Sequence, residues 1–185
     1  MEKYYISAQQ LLDDALELGI RILDSGFRPD FLVAIWRGGT PVGIAVHELL
    51  SYFGVDTDHI AIKTSLYNGI DSRNAEVQVL GAEYLEQRMQ PGNRILLIDD
   101  VFDTGLTIRK VIRHLHKYLA DNRIEIRVAA PYYKPANNRT DRQPDYFLHS
   151  TNRWLVFPHE LVGLDVDEIL AGKSGMTALK QRLMK

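Results

Sequence analysis

Cysteine is missing from the whole 185-residue chain. That excludes disulfides, a thiolate nucleophile and cysteine-ligated zinc or iron–sulfur centres, and it fits a reducing compartment. An excess of either charge is missing too: 22 basic residues stand against 24 acidic ones, for a formal net charge of −2. This balance gives no electrostatic reason to expect a nucleic-acid partner. No apolar run approaches the roughly 18 residues a membrane span requires, so no membrane association is expected. The N-terminal "MEKYYISAQQLLDDALELGI" carries acids where a signal peptide needs an apolar stretch. The cytoplasm is the expected location. Repeats, low-complexity tracts and obvious linkers are absent as well.

What is present is an ordinary globular composition, 45% hydrophobic and 25% charged. A chain of this length can bury a substantial core, and one domain over residues 1–185 is expected. Ser7 is placed to cap a helix whose apolar positions include Leu11, Leu12, Ala15, Leu16, Leu18 and Leu23, ending near Gly26. "FLVAIW" (31–36) is a continuous apolar run, as expected of a strand buried on both faces. A helix over Pro41–Leu50 follows, then a short strand "HIAIKT" (59–64). The polar segment 65–74 and the alternating "EVQVL" (76–80) together read as a two-stranded flap outside the core. "RILLID" is the third strand. Thr107–Leu119 is a helix with Ile108, Val111, Ile112, Leu115 and Leu119 on one stripe. "IEIRVAAPYY" (124–133) opens a fourth strand, "DYFLHS" (145–150) is a candidate fifth, and a small helix is expected after Leu161. Strands and helices alternating at this spacing predict an α/β fold, a doubly wound, mostly parallel sheet flanked by helices.

The chemistry concentrates in "ILLIDDVFDTGLTI" (95–108). Asp99 and Asp100 stand at the end of the most apolar strand, although adjacent carboxylates repel and each must be solvated or hydrogen-bonded. Ligands of open parallel sheets bind outside the carboxyl ends of the strands. Two acids there suit a vicinal diol, whose hydroxyls each donate to one carboxylate, or a divalent cation. "DTGLT" then supplies two hydroxyls, a glycine and a helix N-terminus, where backbone N–H groups converge on an anion. Diol acceptors followed directly by an anion cradle describe a ribose 5-phosphate site.

This segment resembles the phosphoribosyl-diphosphate signature of the type I phosphoribosyltransferases. The resemblance implies that Asp99 and Asp100 hold the ribose hydroxyls, directly or through Mg²⁺. It implies that Asp103, Thr104, Gly105, Leu106 and Thr107 surround the 5-phosphate, and that Asp103 faces N7 of a purine and handles its proton. "WRGG" (36–39) is similar to the family's diphosphate loop, with an inward-turning cis peptide and with Arg37 and Gly38 as contacts; read alone, it is merely a turn with a basic residue. Residues 65–80 would be the mobile hood that excludes water from the reaction centre. Ser65 and Tyr67 are candidates for the family's serine–tyrosine pair, although here one residue separates them.

For the base, the resemblance gives Lys134 of "YYKPANN" the exocyclic oxygen at C6. In "RWLVFPHE" it gives Trp154 the stacking role and Leu155 main-chain contacts, and it sets Glu160 near Mg²⁺ and diphosphate. Taken singly, a lysine before proline is usually a surface residue and a tryptophan usually packs in a core. Val156 stands where xanthine–guanine members carry an acid, which weakens guanine and xanthine relative to hypoxanthine. The implied activity is transfer of ribose 5-phosphate from phosphoribosyl diphosphate to N9 of a 6-oxopurine, hypoxanthine first, by a homodimer or homotetramer. The rival readings are a regulator of the same fold that senses phosphoribosyl diphosphate, an enzyme for another nucleobase, and a receiver-like domain. The last accounts for the paired acids but not for "DTGLT" or "WRGG".

Two further signals lead elsewhere. "GKSG" (172–175) echoes the end of a nucleotide-binding loop, but Asp167 occupies the required upstream glycine position, so it reads as a turn. His114 and His116 lie two apart on a helix and cannot share a face. His47, His149 and His159 have no partner at recognisable ligand spacing.

Overall fold

The computed structural model describes residues 3–66, 77–118 and 124–185, without the side chains of 65, 66, 77, 78 and 118. In chain order the elements are β1 (Lys3–Tyr5), α1 (Ala8–Asp24), β2 (Phe31–Trp36), α2 (Gly39–Tyr52), β3 (Asp58–Leu66) and β4 (Val77–Leu80). Next come α3 (Glu83–Arg88), β5 (Arg94–Ile98), β6 (Val101–Phe102), α4 (Leu106–Tyr118), β7 (Glu125–Ala129) and β8 (Tyr132–Tyr133). A single 3₁₀ turn over Pro135–Asn137, β9 (His149–Ser150), β10 (Trp154–Val156), α5 (Val166–Gly172) and α6 (Thr177–Leu183) complete the chain.

The main sheet has the order β4-β3-β2-β5-β7, parallel except for the antiparallel β3–β4 pair. From β2 the chain steps outward to β3, then returns to the other side of β2 as β5. Strand order therefore reverses between β2 and β5, the crevice where parallel α/β sheets take their ligands. Both central strands are buried on both faces. Leu32, Ala34, Leu96 and Ile98 pack with α1 and α2, while Val33, Ile35, Ile95 and Leu97 pack with Leu85 of α3 and with Val111 and Leu115 of α4. This is why neither strand shows a polar–apolar alternation in the sequence.

Ser7 caps α1 as expected, its side chain accepting from the Gln10 N–H at 3.0 Å. The buried stripe of α1 is Leu11, Ala15, Leu18 and Ile22, with Leu16 and Leu23 partly buried. Leu12, expected on that stripe, is exposed at its edge. The expected separate flap is also corrected: β4 is the edge of the main sheet, and Val79 is buried in the same cluster as Val33 and Leu97. Residues 67–76 of the expected hood, Tyr67 among them, and Leu119 lie outside the described residues. The stretch 145–150 supplies only the two-residue β9 and a bridge from Tyr146 to Ala129. Beyond Leu161 there are two short helices rather than one; α5 carries a capping box between Asp165 and Glu168. None of the described helices is long and apolar enough to cross a membrane.

Two small parallel sheets stand at the ligand end of the main one. β6, β8 and β9 form the first, and β1 pairs with β10 in the second. Together they set the positions of the residues that matter most below.

Candidate active site

β2 and β5 run in parallel register with Ala34 opposite Ile98, so both chains leave the sheet together. The loop after β2 consequently lies against the acids after β5. The Trp36–Arg37 peptide bond is cis. A Cβ built on Gly38 would lie 2.1 Å from Oδ2 of Asp100, so the carboxyl occupies space that any other residue would fill. Asp100 is buried, and its N–H donates to Oδ1 of Asp99 at 3.0 Å. Burial pushes the Asp99 carboxyl well above the usual carboxylate range, and the neighbouring Asp100 charge pushes it further. Arg37 is exposed at the rim, and its carbonyl accepts from the N–H and hydroxyl of Thr40.

The segment after β6 turns sharply into α4. Thr104 anchors this turn twice, its hydroxyl accepting from the Leu106 N–H at 3.4 Å and its carbonyl from the Arg139 N–H at 3.0 Å. Gly105 has φ +71°, in the left-handed region, and a Cβ there would meet Thr140 Oγ1 at 2.7 Å and the Phe102 ring at 2.8 Å. Thr107 is exposed in the first turn of α4. The peptide chain from Asp103 to Thr107 thus forms a tight turn at a helix N-terminus, the geometry that attracts an anion.

Lys134 reaches Asp103 through strand register. β6 and β8 are parallel, with Phe102 opposite Tyr133, so the next residues of each, Asp103 and Lys134, emerge side by side. The Lys134 ammonium donates to Asp103 Oδ2 at 3.1 Å. Asn137, one turn further on, donates to Oδ1 at 2.7 Å. Sequence reasoning missed Asn137; its only signal was a polar turn three residues after the lysine.

Asp103, Lys134 and Asn137 line a cavity of about 500 Å³, together with Asp100, Trp154 and Glu160. Trp154 heads β10, paired with Lys3 of β1, and is 57% exposed. Leu155 and Val156 behind it are buried but reach the same cavity. Arg37, Gly38, Asp99 and the 104–107 turn lie outside its lining, next to it along the strand ends. Glu160 directs Oε2 at the Phe157 N–H, 2.9 Å away. Lys173, from the "GKSG" turn, is buried and donates to the Phe157 carbonyl; burial lowers its ammonium below the usual lysine range, and Glu160 opposes the shift.

The histidines find partners remote in sequence. His159 Nε2 lies 3.2 Å from Asp100 Oδ2, and His149 Nε2 lies 2.9 Å from Asp14 Oδ1. The His47 and His59 rings meet in a tilted arrangement with centroids 4.3 Å apart. No three histidine or acidic side chains among the described residues converge to hold a metal ion on their own.

Residues 5–168 match the phosphoribosyl transferase domain family. The chain belongs to this family. Like its relatives, this phosphoribosyltransferase is an enzyme, with the α/β fold expected above. It is 24% identical to a hypoxanthine-guanine phosphoribosyltransferase of Lactococcus lactis, over 91% of this chain and 85% of that one. It is 23% identical to xanthine phosphoribosyltransferase 1 of Saccharomyces cerevisiae, over 94% and 97%. The crystal structure of a purine phosphoribosyltransferase from Pyrococcus horikoshii superposes with a TM-score of 0.67 at 27% identity, covering 89% of this phosphoribosyltransferase and 98% of the other.

Proposed function

We propose that the enzyme transfers ribose 5-phosphate from phosphoribosyl diphosphate to N9 of a 6-oxopurine, with hypoxanthine preferred over guanine and xanthine. The observation that carries this reading is the Asp103–Lys134 pair on the wall of a 500 Å³ cavity that also holds Trp154. A purine offers three features to such a wall: a face to stack on, an oxygen at C6 to accept from an ammonium, and N7 to exchange a proton with a carboxylate. Val156, apolar and buried, gives a C2 substituent no charged partner, which supports hypoxanthine.

In this reading Asp99 and Asp100 accept from the ribose hydroxyls. The 103–107 turn cradles the 5-phosphate, and Arg37 with Gly38 binds the diphosphate. As the bond from ribose C1′ to diphosphate breaks, N9 of the base forms the new bond, with Asp103 managing the proton at N7. Leu155 offers main-chain groups to the base edge. The residues that join β3 to β4 would act as the hood that keeps water from the ribosyl centre.

The donor set suits Mg²⁺, which takes one or two carboxylates and completes its shell with water and substrate oxygens. Asp99 and Asp100 are the carboxylates offered, with Glu160 nearby in the cavity. When bound, the ion would neutralise charge on the departing diphosphate.

A homodimer or homotetramer belongs to this reading, supported by the apolar side chains that α2 leaves exposed, Ile44 at 66% and Tyr52 at 84%. So does a cytoplasmic location, supported by the cysteine-free composition. The test is a spectrophotometric screen of nucleobases with phosphoribosyl diphosphate and Mg²⁺. Turnover of hypoxanthine above all others is expected; turnover only of adenine or a pyrimidine overturns the oxopurine assignment.

A further inference from the structure

Asp100 is held from two sides. On one, its carboxyl fills the space beside the Cα of Gly38. On the other, His159 Nε2 approaches the same Oδ2 at 3.2 Å, with both side chains largely buried. His159 Nδ1 is buried and has no hydrogen-bond partner, so Nε2 is the ring nitrogen that meets a polar group, the Asp100 carboxylate. The ring stacks on Phe157 at 5.7 Å with an interplanar angle of 14°.

The turn carrying His159 is itself fixed. Phe157 donates its N–H to Glu160, accepts from the Glu160 N–H at 3.0 Å, and accepts from the buried Lys173 ammonium. Lys173 lies beyond residues 5–168, the span matched to the family. Phe157 directly follows β10, whose Trp154 and Leu155 face the base cavity.

We propose that His159 is a positioning residue for the sugar site: it orients the Asp100 carboxylate towards the ribose, from a turn that Lys173 anchors to the base-reading strand. The inference rests on the phosphoribosyl-diphosphate reading given above. Without the Nε2 contact, the carboxylate is free to rotate away from Gly38, and its oxygens no longer meet the sugar hydroxyls in a fixed arrangement. The Lys173 anchor gives the segment after residue 161 a role, since it fixes the turn on which His159 sits.

The experiment is calorimetric titration of the whole protein with phosphoribosyl diphosphate and Mg²⁺, with thermal unfolding midpoints measured alongside. H159F keeps an aromatic ring on Phe157 but has no donor; H159Q places an amide N–H close to the position of Nε2. Losing a close polar contact to a charged group should weaken sugar binding by about tenfold or more in H159F. H159Q should stay within about threefold of the parent, because the donor is restored. K173M, which never touches Asp100, should weaken binding by a smaller factor than H159F.

Affinity in H159F equal to the parent's overturns the proposal, as does H159Q falling as far as H159F, since ring shape rather than the donor would then matter. Unchanged affinity in K173M overturns the anchoring role. If H159F does not fold, the H159Q titration still decides, because a large loss there contradicts donor rescue. A parent protein that fails to bind the sugar defeats the phosphoribosyl-diphosphate reading itself, and that is seen before any variant is made.

Discussion

Lys134 and Asp103 are 31 residues apart in the chain and 3.1 Å apart in space, joined because two two-residue strands run parallel with Phe102 opposite Tyr133. The ammonium side chain is only 12% exposed, so the pairing satisfies a charge that has little water around it. A substrate entering the cavity has to exchange this contact for its own. On the proposed reading it does so with C6 oxygen for the lysine and N7 for the acid.

Asp103→Asn tests the acid. The amide keeps the size of the side chain and can still accept from Asn137, but it cannot take up a proton at neutral pH. Turnover should fall by about 10²–10⁴-fold, the usual contribution of a general acid–base group, while affinity for phosphoribosyl diphosphate stays near the parent value. Steady-state kinetics showing turnover within a few-fold of the parent would remove Asp103 from the chemistry.

Gly105→Ala tests the phosphate turn as a structural element. A methyl group there has to adopt φ +71° and also meets Thr140 Oγ1 at 2.7 Å and the Phe102 ring at 2.8 Å. A left-handed conformation alone costs a non-glycine residue about 1–3 kcal/mol, and the clash adds to it. Urea denaturation should show a loss of at least that size, with weaker sugar binding in the fraction that remains folded. A variant as stable as the parent would mean that the turn relaxes freely.

Asp99→Asn separates function from stability. Burial first, and the Asp100 charge second, hold the Asp99 carboxyl well above its ordinary value of 3.8 in the folded state. The folded protein therefore binds this proton more readily than the unfolded chain does, and stability falls as pH rises from the ordinary value through the raised one. Below that window both states are protonated and no penalty exists; above it the penalty is complete. The asparagine variant should be more stable than the parent at pH 7, by about 0.5–2 kcal/mol. The gain should shrink as pH is lowered towards 4.5. Denaturation curves at both pH values check this, and a variant less stable at pH 7 contradicts it.

The strands that flank the site could be read directly, because β2 and β5 are buried on both faces and an unbroken apolar run needs no periodicity to be recognised. Asp99 and Asp100 stood out for the same reason, as charges placed where a buried strand ends. Helix α1 was legible in its Ser7 cap and in its stripe save for one position: Leu12 is apolar and still 46% exposed, since burial favours apolar residues without requiring all of them. β1 was hidden, because three residues paired with β10 across the length of the chain leave no local pattern. Asn137 and His159 were hidden likewise. Each is ordinary in its own segment and becomes significant only through a carboxylate that tertiary register brings within hydrogen-bonding distance.

The base preference is the most exposed part of the proposed function, and two substitutions divide it. On that reading Lys134 meets the C6 position: a 6-oxopurine accepts from its ammonium, whereas the amino group of adenine leaves the charge unpaired in a site with little water. Sites built around a hydrogen bond reject analogues that lack it by as much as about 10⁴–10⁵. Trp154 offers a face to any purine and so supplies affinity without that choice. Lys134→Met should therefore erode the preference for hypoxanthine over adenine, and it also frees Asp103 from its only cationic partner among the described residues. Trp154→Ala should weaken both bases by a similar factor and leave their ratio unchanged. Competition assays with the two bases on both variants measure this ratio. A Lys134→Met enzyme that still discriminates as the parent does would move the reading of C6 to another group, and Asn137, already on the cavity wall, is where it would move.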